Sequence, residues 1–179
     1  MTGGRAAMST GKAAHLAQDR SDRPNAVPWP PILYGAAIVA AIVLGRLAPV
    51  GFPAPDVVAE RFAFWIGLLV LLAGAGLDGS AMWTMARARA NILPHRAATA
   101  LVTKGPFAFS RNPIYLGNTL MMVGAGLAFG NPWLIATGLT AALLVERLAI
   151  RREEQHLEAR FGQAWRDYSA RVKRWFGRR

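Results

Sequence analysis

Apolar positions gather into four runs separated by short polar breaks: "PILYGAAIVAAIVLGRLAPV" (31–50), "FAFWIGLLVLLAGAGLDGSAMWTM" (62–85), "IYLGNTLMMVGAGLAFG" (114–130) and "PWLIATGLTAALLVERLAI" (132–150). A helix rises ~1.5 Å per residue, so about 20 residues cross ~30 Å of hydrocarbon. The third run is short by that measure. Asn131 and Pro132, an N-cap and a first-turn proline, fold it against the fourth as a hairpin. The expected fold is all-α, a polytopic membrane protein with about four transmembrane helices. The stretch from Leu93 to Val102 leaves room for a further short re-entrant segment.

Beyond residue 150 the period persists but the character changes. Leu157, Phe161, Trp165, Tyr168, Val172 and Trp175 recur at helical steps, with Arg152, Arg160, Arg166, Arg171 and Lys173 on other faces. This predicts a C-terminal amphipathic cytosolic helix lying on the membrane surface. The first 30 residues carry Arg5, Lys12, Arg20 and Arg23 among prolines, with no apolar core, and read as a disordered basic tail rather than a signal peptide. Residues 31–179 then form one membrane domain.

Composition agrees: 53% hydrophobic and 17% charged residues is too apolar for a soluble domain of 179 residues. The absence of cysteine excludes disulfides and thiol chemistry, and His15, His95 and His156 lack metal-ligand spacing. The net charge of +11 raises the question of nucleic acid. Its distribution answers it. Four Lys/Arg precede the first run, two lie from Arg46 to Arg61, five between 86 and 113, and ten from Arg147 onward. With four spans, 19 of the 21 share one side, which the positive-inside rule makes cytoplasmic, together with both termini. A bacterial-type inner membrane is the expected location.

Besides Arg147 at the inner end of the fourth run, three charged residues lie within the apolar runs. Arg46 is near enough to an end to snorkel to the outer interface. Asp78 faces either a cavity or its neighbours Gly79 and Ser80, and Glu146 faces either a pocket or an interfacial cation.

The chemistry concentrates on the cytosolic side. The stretch "LVTKGPFAFSRNPIYLG" (101–117) combines a Gly-Pro turn, an Arg-Asn-Pro turn and a helix start, which leave backbone N–H groups available to an acceptor-bearing ligand. Lys104 and Arg111 add positive charge, and Glu153 and Glu154, about 100° apart on a helix, add carboxylates of which one can face a ligand squarely. A ligand with a carboxylate, an ammonium and a ribose suits this set, and S-adenosylmethionine is such a ligand.

The order of "LVTKGPFAFSRNPIYLG", an apolar hairpin with "NP" at its turn, and "IRREEQHLEARFGQAWRDY" resembles the isoprenylcysteine carboxyl methyltransferases and the related phospholipid N-methyltransferases, over residues 99–175. The resemblance implies an integral membrane methyltransferase that uses S-adenosylmethionine. By position it implies a cofactor pocket lined by Leu101, Val102, Phe107, Asn112, Pro113, Tyr115 and Glu153. Gly124 and Gly126 fall where phospholipid methyltransferases place a Gly-x-Gly, and helix packing is equally open to them. No catalytic group is singled out; Arg111 and Glu154 are the candidates.

Two positions depart from the family pattern. Asn112 replaces a usual histidine, which removes a general base and leaves hydrogen bonding. Ala149 replaces an arginine implicated in binding the substrate carboxylate in the prenylcysteine enzymes, and Arg147, Arg151 and Arg152 lie on other helical faces. The expected acceptor is a lipid-like or hydrophobic small molecule that enters from the bilayer. The competing reading is a catalytically silent membrane scaffold whose glutamates pair with surface arginines.

Overall fold

The computed structural model describes residues 29–52, 56–90 and 99–179; the basic tail, His95 and most of the possible re-entrant segment lie outside them. Four rods form the body. Helix α1 is Trp29–Leu47, α2 is Val57–Arg87, α3 is Pro113–Ala128 and α4 is Pro132–Val145. α4 runs without interruption through a π-helical turn, Glu146–Ile150, into α5, Arg151–Phe161. α1, α2 and the rod Pro132–Phe161 are long and apolar enough to cross a membrane, and α3, at 16 residues, is the shorter apolar helix. The protein is a polytopic helical membrane protein.

The helix ends follow from local chemistry. The Asp56 carboxylate accepts from the amides of Val58 and Ala59 at 3.0 and 2.8 Å, so α2 begins five residues before its apolar run and reaches 31 residues. The expected cap at Asn131 is present: its side chain accepts from Trp133 N–H at 3.0 Å, with Pro132 in the first turn. The Trp133 indole donates to the Ala48 carbonyl at 2.8 Å, which ties the end of α1 to the hairpin.

α1 lies against α4, α4 against α3 and α3 against α2. Lipid is as apolar as a side chain, so the rods are held by close fit rather than by expulsion of water. The fit is tightest between α2 and α3. A Cβ on Gly74 would lie 2.7 Å from the Gly117 carbonyl oxygen, and one on Gly124 would lie 2.6 Å from that of Gly67. Fully buried Ala81 continues the seam one spacing of seven further along α2. A second cluster, Tyr34, Ala37, Met122, Ala141, Val145, Ala149 and Ile150, joins α1, α3 and the α4 rod.

The C-terminal run departs from expectation. It is not one interfacial helix but two, because Gly162 adopts φ +52°, a left-handed conformation that favours glycine, and turns the chain between α5 and α6, Gln163–Arg171. Trp165, Tyr168 and Val172 are buried against Leu101, Leu157 and Phe161, so the apolar stripe meets the 101–112 loop instead of lipid. Past α6 a strap, residues 172–179, doubles back with Val172 and Arg178 bridged antiparallel.

Gly124→Leu is expected to lower the thermal unfolding midpoint in detergent by an overpacking cost of about 1–3 kcal/mol or more. Gly76→Ala, where a Cβ meets nothing within 4 Å, is expected to be neutral or slightly stabilising. Equal destabilisation by both changes would contradict the seam.

Candidate functional site

The 101–112 loop, the start of α3 and the π-turn meet at the end of the bundle opposite the α3–α4 hairpin. The loop is shaped by Gly105, which has a φ of +60° and where an added Cβ would lie 3.0 Å from the Thr84 hydroxyl of α2, and by a 3-10 turn at Gly105–Ala108. Its amides are largely committed, contrary to the sequence expectation. Phe107 N–H donates to Lys104 O at 3.2 Å, Ser110 N–H to Pro106 O at 3.1 Å, Arg111 N–H to Lys173 O at 3.1 Å and Asn112 N–H to Ser110 Oγ at 3.0 Å. Three of these acceptors belong to the loop's own turns, and the fourth, Lys173 O, comes from the strap, a part of the chain that the local sequence could not reveal.

Asn112 shows the same effect. Its side chain, 9% exposed, donates to the Arg174 carbonyl at 3.1 Å, and the Ser110 hydroxyl donates to that same carbonyl at 3.4 Å. An amide suits this fastening because it donates whatever the pH. Pro113 is fully buried at the first turn of α3, and Leu101 packs on the Trp165 cluster. Phe107 offers its carbonyl to the Tyr168 hydroxyl at 2.8 Å, and burial holds that phenol well above its ordinary range, as a neutral donor. Val102 is half-buried in the same loop.

The carboxylates divide sharply. Glu154 accepts from Arg174 Nε and Nη2 at 3.1 and 2.7 Å and pairs with Arg111 at 3.2 Å. Glu146 accepts from Arg174 Nη1 at 2.8 Å and the Trp175 indole at 2.7 Å, with Arg151 at 3.7 Å. Arg174 therefore bridges two glutamates, and its hydrogen bonds to Glu154 raise its pKa above the ordinary arginine value. Arg111 is buried beneath Trp165, 5.6 Å from the ring centroid; burial pulls its pKa down, and Glu154 opposes that pull. Both candidates for a catalytic group, Arg111 and Glu154, are thus held in one ion cluster.

Glu153 stands apart. Its carboxylate accepts from the Tyr115 hydroxyl at 3.4 Å, and among the described residues no lysine or arginine is in ion-pair range. Tyr115 is in turn fixed through its backbone, because its carbonyl accepts from the Thr119 hydroxyl at 2.8 Å and from the Tyr34 hydroxyl at 3.0 Å. Of the residues singled out in the sequence, Tyr115 and Glu153 are brought into contact.

Gly124 and Gly126 face helix neighbours, Gly124 the α2 backbone at Gly67 and Gly126 the Ile135 side chain and Asn131 backbone of the hairpin. Ala149 is fully buried in the core cluster with Tyr34 and Ile150, where a long cationic side chain has no room. Asp78 lies against Gly117, and its Oδ1 is buried without a hydrogen-bond partner among the described residues. The residue missed by sequence reading is Arg174. The available signal was electrostatic: Glu146, Glu153 and Glu154 sit at the end of an apolar rod, and Arg174-Trp175 supplies a fork and an indole donor on the far side of the Gly162 turn.

Residues 62–164, from α2 to the start of α6, match the phospholipid methyltransferase family. The chain belongs to this family. It is 32% identical over 115 residues to the nickel-cobalt-cadmium resistance protein NccN of Alcaligenes xylosoxydans xylosoxydans, a stretch covering 64% of this chain and 53% of that protein. The fold is similar to a solved structure of the eukaryotic intramembrane Ras methyltransferase, isoprenylcysteine carboxyl methyltransferase, with a TM-score of 0.56 and 28% identity over 84% of this chain and 52% of that one. The chain thus spans about half the length of these two relatives. The matched residues include most of α2, all of α3, the α4 rod and the glutamate pair, while α1 and the strap lie outside them.

Arg174→Gln and Glu154→Gln are each expected to cost about 1–3 kcal/mol of stability, because each leaves a partly buried charge short of partners. The double change is expected to cost less than the sum, and Arg174→Lys to restore little, since an ammonium cannot fork across two carboxylates. Additive losses in a thermal-unfolding cycle would show that the bridge is not a unit.

Proposed function

We propose that the protein is an integral membrane methyltransferase that uses S-adenosylmethionine to methylate a lipid-like acceptor at the cytosolic face. The observation that carries this reading is the division of the carboxylates. Glu146 and Glu154 are neutralised by Arg174 and Arg111, whereas Glu153, half-buried and steadied by Tyr115, keeps acceptor capacity for a cationic or hydroxyl-bearing ligand. That fits the ammonium and ribose of S-adenosylmethionine. Glu153 and Tyr115, with the apolar side chains of Val102 and Phe107 on the loop, are the residues that would hold it. When bound, the cofactor supplies an electrophilic methyl group on a sulfonium.

The chain's own contribution is placement. The loop is fastened to the strap, Pro113 seals the start of α3, and the ion cluster fixes the helical phase at Glu153, so reactants are held in a site shielded from water. Positioning of this kind is worth about 7–11 kcal/mol of barrier in favourable cases. An acceptor enters sideways between lipid-facing helices, with its head group at the inner interface.

The acceptor is best read as one without a carboxylate. Ala149 is buried, Arg111 and Arg174 are already paired, and Arg147, Arg151 and Arg152 are exposed. An amine- or thiol-bearing amphiphile needs no counter-charge; it becomes reactive on losing its water. Topology follows the basic asymmetry, with both termini of residues 1–179 cytoplasmic.

Calorimetric titration of detergent-purified protein with S-adenosylmethionine should show saturable binding, weakened tenfold or more by Glu153→Gln through loss of a ~1.5–3 kcal/mol charged hydrogen bond. Gly76→Ala, on α2 where an added Cβ meets nothing within 4 Å, should leave binding unchanged. No binding by the wild type would favour the scaffold reading. In nanodiscs, transfer of labelled methyl to an amine-bearing amphiphile should exceed transfer to a farnesylated cysteine acid; the reverse order would refute the acceptor class. A reporter fused after Arg179 should be active on the cytoplasmic side.

A further inference from the structure

The strap ends in a surface that neither the bundle nor the candidate site uses. Lys173 N–H donates to Gly177 O at 2.8 Å, which closes a tight turn, and Gly177 N–H donates to the Phe109 carbonyl at 2.7 Å, which pins the turn to the loop. This brings Phe109 and Phe176 to the same corner, 53% and 70% exposed. Cations surround them. The Arg178 guanidinium lies 5.2 Å from the Phe109 ring centroid and donates to the Ala108 carbonyl at 3.3 Å, and Lys173 and Arg179 are exposed on the same turn.

Exposed phenyl rings among cations do not suit bulk water, and they do not suit hydrocarbon either, where unpaired charge is costly. They suit the layer between. The corner's level can be fixed independently: Phe109 is four residues before Pro113, where apolar α3 begins, and at the inner end of α2 Arg87 sits over the Trp83 ring at 5.0 Å, with Trp83 61% exposed. Two arginine-on-aromatic pairs at the loop end of two membrane helices mark an interfacial belt. No acidic side chain is paired with Lys173, Arg178 or Arg179 among the described residues, so within these residues the charge of the corner is uncompensated.

We propose that this corner, Phe109 and Phe176 with Lys173, Arg178 and Arg179, is a docking surface for anionic phospholipid head groups of the cytosolic leaflet. The rings enter the head-group layer and the cations meet lipid phosphates. Arg174 leaves the same turn in the opposite direction, toward Glu146 and Glu154, so lipid docking steadies the strap that organises the candidate site. A soluble protein partner is disfavoured by the small apolar area, two rings, and by the corner's place at the membrane boundary.

The test is hydrogen exchange of the full chain in nanodiscs of phosphatidylcholine alone or with phosphatidylglycerol. Phosphatidylglycerol should slow exchange in residues 172–179 by about fivefold for each cation engaged, and high salt should abolish the gain. The gain should be lost in K173Q/R178Q and reduced in Phe176→Ser, while exchange in 113–128 stays at the wild-type rate and shows that the bundle is intact. Inorganic phosphate added to phosphatidylcholine discs should not reproduce it. Equal exchange in the two lipids, a gain that survives in K173Q/R178Q, or a full gain from inorganic phosphate overturns the proposal. None of these readouts depends on methyl transfer or on cofactor binding.

Discussion

One guanidinium, that of Arg174, sits between the carboxylates of Glu146 and Glu154, and the arrangement of the whole loop end follows from it. The two glutamates lie eight residues apart on the same rod, across the π-turn. A single α-helical path would place residues eight apart about 80° apart around the axis; the wider turn shifts that phase and lets one planar fork serve both. Once both are served, Glu153 is left to Tyr115. The backbone of the same arginine holds Ser110 and Asn112, so charge and loop are fixed by one residue.

Around this polar point the rest of the molecule is built by proximity. In lipid there is little to gain from hiding apolar surface, and large hydrophobic residues such as Leu69, Trp65 and Val39 stay on the outside. Glycines at Gly67, Gly74, Gly117 and Gly124 bring two backbones together over the length of α2 and α3. The rigidity that this gives α3 reaches Tyr115 directly, because Tyr115 lies on the first turn of the same helix.

Much of the architecture was legible because it rests on strong local rules. The four apolar helices followed from hydropathy, the hairpin from Asn131-Pro132, and the family from motifs in order along the chain. What was not legible depends on contacts over long separations. The hydrogen-bond partner of the Asn112 side chain, the Arg174 carbonyl, is 62 positions away and leaves no mark on the local sequence. The C-terminal stripe read as a lipid-facing helix because periodicity does not say what covers an apolar face, and the positive φ at Gly162 is invisible in a pattern count. Glycine spacing alone did not show that Gly124 meets the α2 backbone at Gly67. Glu153 and Glu154 differ by one position, and only the cations around them show which is committed.

The strap also sets an order of events in biosynthesis. The four apolar helices are complete in the chain by Val145, yet the Arg111 amide and the Glu146 and Glu154 carboxylates gain their strap partners only when Lys173, Arg174 and Trp175 follow. A chain halted between those points is a finished bundle with an open, charged end. Completion of the loop end therefore depends on residues that follow the last apolar helix, and it arrives with them as a unit rather than gradually.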